Sequence, residues 1–161
     1  MKRCKFKIIN NEIFKKYLSF FIIGFIILII DQLSKFFIRK LIVENEHIYL
    51  IDNFFSLTHV YNTGAAFSLF SENNNLLLVF GLIIIFFMIY YVKNIEKKYL
   101  IALSLIFGGA LSNLIDRFIF NGVVDFINFN FWPIFNFADS FITIGIIIMS
   151  YIILKEEFKK K

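Results

Sequence analysis

The sequence is poor in the residue types that build most metal and nucleophilic sites. It has one cysteine, Cys4, which excludes an internal disulfide, and the basic tail around it indicates an incidental thiol. Its two histidines, His47 and His59, lack the spacing of a metal-ligand set, so we expect no metal and no other cofactor. No G-x-S-x-G motif is present, which argues against a serine hydrolase of that kind.

Proline and glycine, which interrupt helices, and charged residues are also scarce. Proline occurs once and glycine seven times in 161 residues, so no flexible linker is indicated and we predict one domain over residues 1–161. Only 18% of the residues are charged, while 59% are hydrophobic, and the mean hydropathy is +0.75. Soluble domains are nearer half apolar, so we predict an integral membrane protein.

Four apolar stretches predict membrane-spanning helices at about residues 17–38, 76–92, 99–118 and 136–154. The first uncharged run, residues 17–30, would be only about 21 Å long as a helix. A bilayer core is about 30 Å thick, so this helix should continue to about Ile38. No small-residue cleavage site precedes Asp31, so a cleaved signal peptide is not indicated.

Most of the 17 Lys and Arg residues lie beside these spans, in the groups 2–16, 93–98 and 155–161. Cytoplasmic loops carry an excess of such residues, which places both termini in the cytoplasm. The groups abut apolar spans, so they indicate a membrane anchor and no nucleic-acid partner.

Polar residues gather at the opposite, outer ends of the spans. With four crossings, spans one and three end outside, and spans two and four begin there. The residues near this depth are Asp31, Lys35, Asn62, Asn113, Asp116, Arg117, Asp125 and Asp139. Acidic side chains beside a bilayer are costly and mark function, so we predict a site near the outer face.

Local spacing pairs some of these residues. Asp31 and Lys35 are four apart on one helix face, which predicts an ion pair that could merely close the helix. Asn113, Asp116 and Arg117 likewise share a face. The small residues of the segment 108–112 suit tight helix packing in lipid.

The outer segment, residues 41–75, begins with a strand pattern. Alternation over residues 55–62 predicts a strand, and Gly64 would permit a positive φ in the turn that follows. Ala65 and Ala66 would allow close backbone approach. We interpret His59 as a packing or surface residue. The residues from about 119 to 135 are predicted to form a loop that carries Asp125.

With metal, cysteine and serine sites not indicated, a pair of carboxyl groups is the remaining candidate for catalysis. Two close aspartates cannot both ionise easily, so one can activate water while its protonated partner donates to a scissile carbonyl. Our hypothesis is that Asp125 and Asp139 form this pair, and the motifs described next carry the choice of these two. The start of a helix favours the ionised form of Asp139, whereas burial beside lipid favours neutral Asp125.

Five motifs in order now identify a resemblance. They are DQLSK (31–35), NTGAAFS (62–68), GGALSNLIDR (108–117), GVVDF (122–126) and FNFADS (135–140). The chain resembles the lipoprotein signal peptidases (signal peptidase II), which are aspartic peptidases with four membrane spans. The resemblance covers nearly the whole chain from Asp31 to the fourth span.

The resemblance implies an endopeptidase of the bacterial inner membrane. Its substrates would be prolipoproteins that carry diacylglycerol on a cysteine, cut just before that cysteine, and we expect a monomer surrounded by membrane lipid. Asp125 and Asp139 match the catalytic pair. The supporting positions are Asp31, Lys35, Asn62, Gly64, Asn113, Asp116, Arg117 and Asn136. Asp116 is expected to pair with Arg117 or a loop amide. A small β-sheet cradle and a short surface helix would come from residues 41–75.

Three other functions fit these residues less well. A transporter or proton channel needs acids along a path across the membrane, and here they gather at one depth. A non-enzymatic scaffold with buried ion pairs would tolerate Asp125→Asn or Asp139→Asn. Intramembrane proteases of the presenilin or prepilin-peptidase kind carry a G-x-G-D motif, which this sequence lacks.

Overall fold

The computed structural model describes residues 2–64 and 73–159, with side chains from residue 11 onward. The predictions for Cys4, Ala65 and Ala66 fall outside the described parts. The described chain is an all-α membrane protein with four long helices and a small three-stranded sheet.

Four helices are long and apolar enough to cross a membrane, as predicted. They are α1 (Lys2–Leu41), α2 (Asn74–Tyr91), α3 (Lys97–Phe120) and α4 (Phe137–Lys159), and a 3-10 turn (Val92–Asn94) follows α2. Each helix extends beyond its predicted span at one end or both, because the flanking residues contain no proline to stop the helix; α2 begins two residues early, at Asn74, and ends one residue early.

Helix α3 lies at the centre and packs against α1 and α4 through glycines. A Cβ on Gly108 would lie 2.5 Å from the Gly24 carbonyl oxygen of α1. A Cβ on Gly109 would lie 2.5 Å from the Ala138 carbonyl oxygen of α4. The backbones therefore approach more closely than any other residue would permit, which confirms the predicted small-residue packing.

The sheet is antiparallel, in the order β1 (His47–Ile51), β2 (Phe55–Asn62), β3 (Val123–Phe129). The loop prediction for residues 119–135 was therefore wrong, because Asp125 lies on β3 and pairs with Val60. The sheet also does not come from residues 41–75 alone. The β-branched and aromatic residues of β3 favour a strand, but pairing with a segment some 65 residues earlier decides it.

The turn after β2 does not use the conformational freedom of Gly64. No glycine that the structure describes has a positive φ; the Gly64 amide instead donates to Asn62 Oδ1 at 3.0 Å. This side-chain turn supplies the bend. The short surface helix stays a prediction: residues 42–64 contain no helix, and residues 65–72 of the segment 41–75 lie outside the described parts.

The sheet is fixed to the C-terminal end of α1 by an apolar cluster of Ile38, Ile42, Val124 and Phe126. His59 is a packing residue, as predicted: it is 6% exposed, and its Nδ1 donates to the Ile42 carbonyl at 3.0 Å. This anchoring holds Asp125 next to the start of α4.

Candidate active site

The start of α4 is held by a reciprocal cap. Asn136 precedes the helix, and its Oδ1 accepts from the Asp139 backbone amide at 2.8 Å. The Asp139 carboxylate in turn accepts from the Asn136 amide at 3.3 Å. The capping pair fixes the Asp139 side chain at the helix terminus, where the backbone dipoles favour negative charge.

The Asp125 carboxylate accepts hydrogen bonds from two side-chain amides. Asn136 Nδ2 donates to its Oδ1 at 2.7 Å, and Asn62 Nδ2 donates to its Oδ2 at 2.8 Å. Asn136 thus donates to the Asp125 carboxylate from its side chain and to the Asp139 carboxylate from its backbone amide. The sequence separates the two aspartates by 14 residues, and this asparagine joins them in space.

Asn113 connects Asp139 to a buried lysine. Its Nδ2 donates to Asp139 Oδ1 at 2.8 Å, while its Oδ1 accepts from Lys35 Nζ at 2.8 Å and from Asn136 Nδ2 at 3.2 Å. With both donors on the oxygen, the amide can present only its nitrogen to Asp139. Lys35 therefore sets the orientation of the group that holds the carboxylate.

Lys35 itself is fully buried between two carboxylates. Its Nζ lies 2.6 Å from Asp31 and 2.8 Å from Asp116, and all three side chains are 0% exposed. The predicted Asp31–Lys35 ion pair is confirmed. Asp116 also accepts from the Val124 amide at 3.2 Å, so the expected amide partner is present, though on a strand. The alternative pairing of Asp116 with Arg117 was wrong.

Asp31 also braces α4 directly. Its Oδ1 accepts from the Ala138 amide at 2.8 Å, and its Oδ2 accepts from Ser112 Oγ at 2.7 Å. The ion cluster thereby satisfies an unpaired amide in the first turn of α4, one residue before Asp139.

Arg117 closes another side of the site. Its Nη2 donates to the Gly64 carbonyl at 2.7 Å, and its Nη1 donates to Asn74 Oδ1 at 3.1 Å. The guanidinium therefore ties the end of β2 to the start of α2.

The aspartates share one cavity of about 1020 Å³. Its polar wall includes Asn62, Asn113, Arg117, Asp125 and Asp139, and its apolar wall includes Trp132, Phe135, Ile142 and Ile144. The apolar part extends along α4 into the membrane span. A cavity of this kind suits a substrate that is partly polar and partly embedded in lipid.

Burial away from water raises the pKa of the Asp125 carboxyl to about 7, with the nearby Asp139 carboxylate as the second cause. The hydrogen bonds from Asn62 and Asn136 act in the opposite direction but are outweighed. Asp125 is thus poised to hold a proton near neutral pH, as expected for one member of a carboxyl pair.

Three residues of this network were missed in the sequence. Gln32 Nε2 donates to Asp116 Oδ1 at 2.8 Å, Ser112 bonds Asp31, and Asn74 bonds Arg117. Gln32 and Ser112 lie inside the quoted motifs, which was an available signal. Asn74 sits in a run of three asparagines, and nothing in the sequence singles it out.

Comparison with known proteins gives consistent matches. A family model described as "Signal peptidase (SPase) II" matches residues 23–155. A lipoprotein signal peptidase of Moorella thermoacetica is 40% identical over 140 residues, which cover 85% of this chain and 93% of that protein. One from Halothermothrix orenii is 36% identical over 139 residues, covering 85% and 96%. A bacterial membrane enzyme solved by the in meso method at 2.3 Å superposes with a TM-score of 0.82, at 33% identity, over 89% of this chain and 92% of its own.

Proposed function

We propose, since this chain belongs to the signal peptidase II family, that it removes signal peptides from prolipoproteins bearing diacylglycerol on a cysteine, cutting just before that cysteine. Membership makes it a peptidase, and with its four apolar helices it is a multi-pass protein of the bacterial inner membrane. The chain is proposed to act as a monomer.

The observation that carries the mechanism is the pair of aspartates held by three asparagines in one cavity. In the proposed reaction the pair shares one proton. Asp139 takes a proton from a water, whose oxygen attacks the scissile carbonyl, while protonated Asp125 donates to the carbonyl oxygen. Collapse of the tetrahedral intermediate expels the cysteine amine, which leaves with a proton from the pair.

The remaining polar residues are proposed to support this pair. Asn62, Asn113 and Asn136 fix the carboxylates, and Arg117 with Gly64 shapes the cavity wall.

A cleavage assay tests the proposed function. The purified protein in lipid nanodiscs is given a diacylglyceryl prolipoprotein peptide, and mass spectrometry locates the cut. Cleavage before the lipidated cysteine supports the proposal, whereas cleavage only of the unlipidated peptide contradicts it.

A bell-shaped pH profile is expected for this reaction. Asp125 is protonated below its pKa of about 7, so raising the pH beyond 7 removes the shared proton and leaves two carboxylates. The rate kcat/KM should then fall about tenfold per pH unit, and it should also fall at low pH when both groups are protonated. These apparent values belong to the pair.

The profile is measured with the lipidated peptide between about pH 4 and about pH 10, a range that extends from the usual pKa of a carboxyl group to that of an amine. Asp52→Asn, which changes an exposed aspartate at the β1–β2 turn, should leave the curve unchanged. A rate that stays constant well above pH 8 contradicts a proton held by the pair.

Both termini are proposed to be cytoplasmic, because the three basic groups must share one side. Reporter fusions after Asn94 and after Lys161 should read cytoplasmic, and a fusion at Asn121, between α3 and β3, should read extracytoplasmic. An extracytoplasmic signal at Lys161 contradicts this orientation and with it the placement of the cavity at the outer face.

A further inference from the structure

A second cavity, of about 520 Å³, lies between α1 and α2, and every side chain that lines it is apolar. We call it the α1–α2 groove. Leu18 and Ile22 of α1 form one side, Ile85 and Ile89 of α2 form the other, and Phe107 of α3 lies between them. All of these residues belong to membrane-spanning helices, and Leu18 and Ile22 are 48% and 50% exposed. The groove therefore opens toward lipid, and its chemistry suits an acyl chain.

The groove exists because α1 and α2 meet at one end only. Tyr17 Oη donates to the Ile89 carbonyl at 3.2 Å, and Lys16 Nζ donates to the Lys93 and Ile95 carbonyls at 3.3 and 2.7 Å. These bonds hold α1 against the end of α2 and the turn that follows it, whereas the rest of α2 packs against α3. The groove is thus closed at the end of the helices opposite the candidate site.

A lysine extends each side of the groove past this closed end. Lys15 lies three residues before Leu18 on α1, and Lys93 lies four residues after Ile89, in the turn that follows α2. Residues three or four apart in a helix share a face. The two ammonium groups therefore flank the position at which a lipid whose chain fills the groove would place its headgroup.

Neither lysine is neutralised by a carboxylate among the residues that the structure describes. Glu12, one turn before Lys15, forms an ion pair with Lys97 at 2.6 Å. The Lys93 ammonium lies over the Tyr90 ring, 5.0 Å from its centroid, which leaves its charge uncompensated. Both charges are available to a phosphate beside an otherwise apolar groove.

We propose that the α1–α2 groove binds one anionic phospholipid, with an acyl chain among its apolar side chains and the phosphate between Lys15 and Lys93. Basic sites between membrane helices bind anionic headgroups in this way. The lipid belongs to the leaflet at this end of the helices, which is the cytoplasmic one in the proposed orientation. A phosphatidylcholine headgroup carries a cation beside its phosphate, so the lysines favour a headgroup with net negative charge.

Native mass spectrometry measures this selectivity. The protein in detergent is given equal amounts of phosphatidylglycerol and phosphatidylcholine with the same acyl chains. The unmodified protein should retain one phosphatidylglycerol about tenfold in preference to phosphatidylcholine, since each lysine near a headgroup contributes on the order of 1 kcal/mol. Lys15→Gln/Lys93→Gln should bring that ratio close to one. The control Lys155→Gln/Lys159→Gln removes two lysines near the end of α4 and should keep the ratio.

A second variant tests the groove itself. Ile22→Trp places a large ring in the groove and should lower the retention of phosphatidylglycerol about tenfold. The control Ile147→Trp makes the same change on α4, where Ile147 is 61% exposed and lines neither cavity, and should retain the lipid. Each variant is first shown to melt as one folded species without added lipid.

Four results would overturn the proposal. The unmodified protein could retain both lipids equally, or the Lys15/Lys93 variant could keep the full ratio. An equal loss in the Lys155/Lys159 control would mean that general surface charge attracts the lipid. Full retention by Ile22→Trp would mean that the headgroup binds without the groove. Cleavage is not measured in any of these assays, so their outcome is independent of the proposed function.

Discussion

Asp125→Asn and Asp139→Asn proteins should each lose nearly all cleavage, by roughly 10³-fold or more in kcat. Asparagine keeps the shape of either side chain but removes the base or the exchangeable proton. The double variant should be little worse than either single one, because residues that act as one unit do not contribute additively. The measurement is release of product from the lipidated peptide by folded protein in nanodiscs.

The control is Asp52→Asn, which removes an exposed carboxyl outside the cavity and should cleave at the normal rate. Each variant is first shown to melt as the unmodified protein does, so that lost activity is not lost folding. Substantial cleavage by either single variant contradicts the catalytic assignment, and Asp116 would become the next carboxylate to test.

Lys35→Met should be the most destabilising single change near the site. The substitution leaves Asp31 and Asp116 buried at 0% exposure with no cation between them. Breaking a buried ion pair by removing one partner costs about 3–5 kcal/mol. Cleavage should also fall, because Asn113 loses the donor that orients its amide toward Asp139.

Thermal unfolding in detergent micelles measures this effect. The matched control is Lys98→Met, which removes a lysine paired with Glu96 and Glu156 at the end of α3 opposite the site. These pairs are partly exposed, so their loss should cost much less than the loss of the buried Lys35 pairs. Adding Asp31→Asn to Lys35→Met should recover part of the stability, since one uncompensated charge is removed. A Lys35→Met protein that melts like the unmodified one contradicts the importance of the cluster.

The four spans, their order and the gathering of polar residues at one end of the spans could be predicted from the sequence alone. Each of these depends on local patterns: apolar runs set helix length, and the order of the spans places the polar residues at their shared ends, while the basic groups beside the spans predict an orientation. The Asp31–Lys35 pair was equally accessible, because helical spacing alone places the two side chains together. The choice of Asp125 and Asp139 followed from the carboxylates available and from the five motifs.

How these residues meet depends on contacts that form only in the folded chain. Asp125 was expected on a loop and lies on a strand, because β3 gains its hydrogen bonds from β2, a partner that no local pattern identifies. Asp116 meets Lys35 rather than its neighbour Arg117, since close glycine packing brings α1 against α3. Asn136 could be recognised as a helix start, but its hold on both aspartates requires β3 beside α4. Helix formation depends on residues a turn apart, whereas a site assembled from three helices and two strands depends on contacts that exist only after folding.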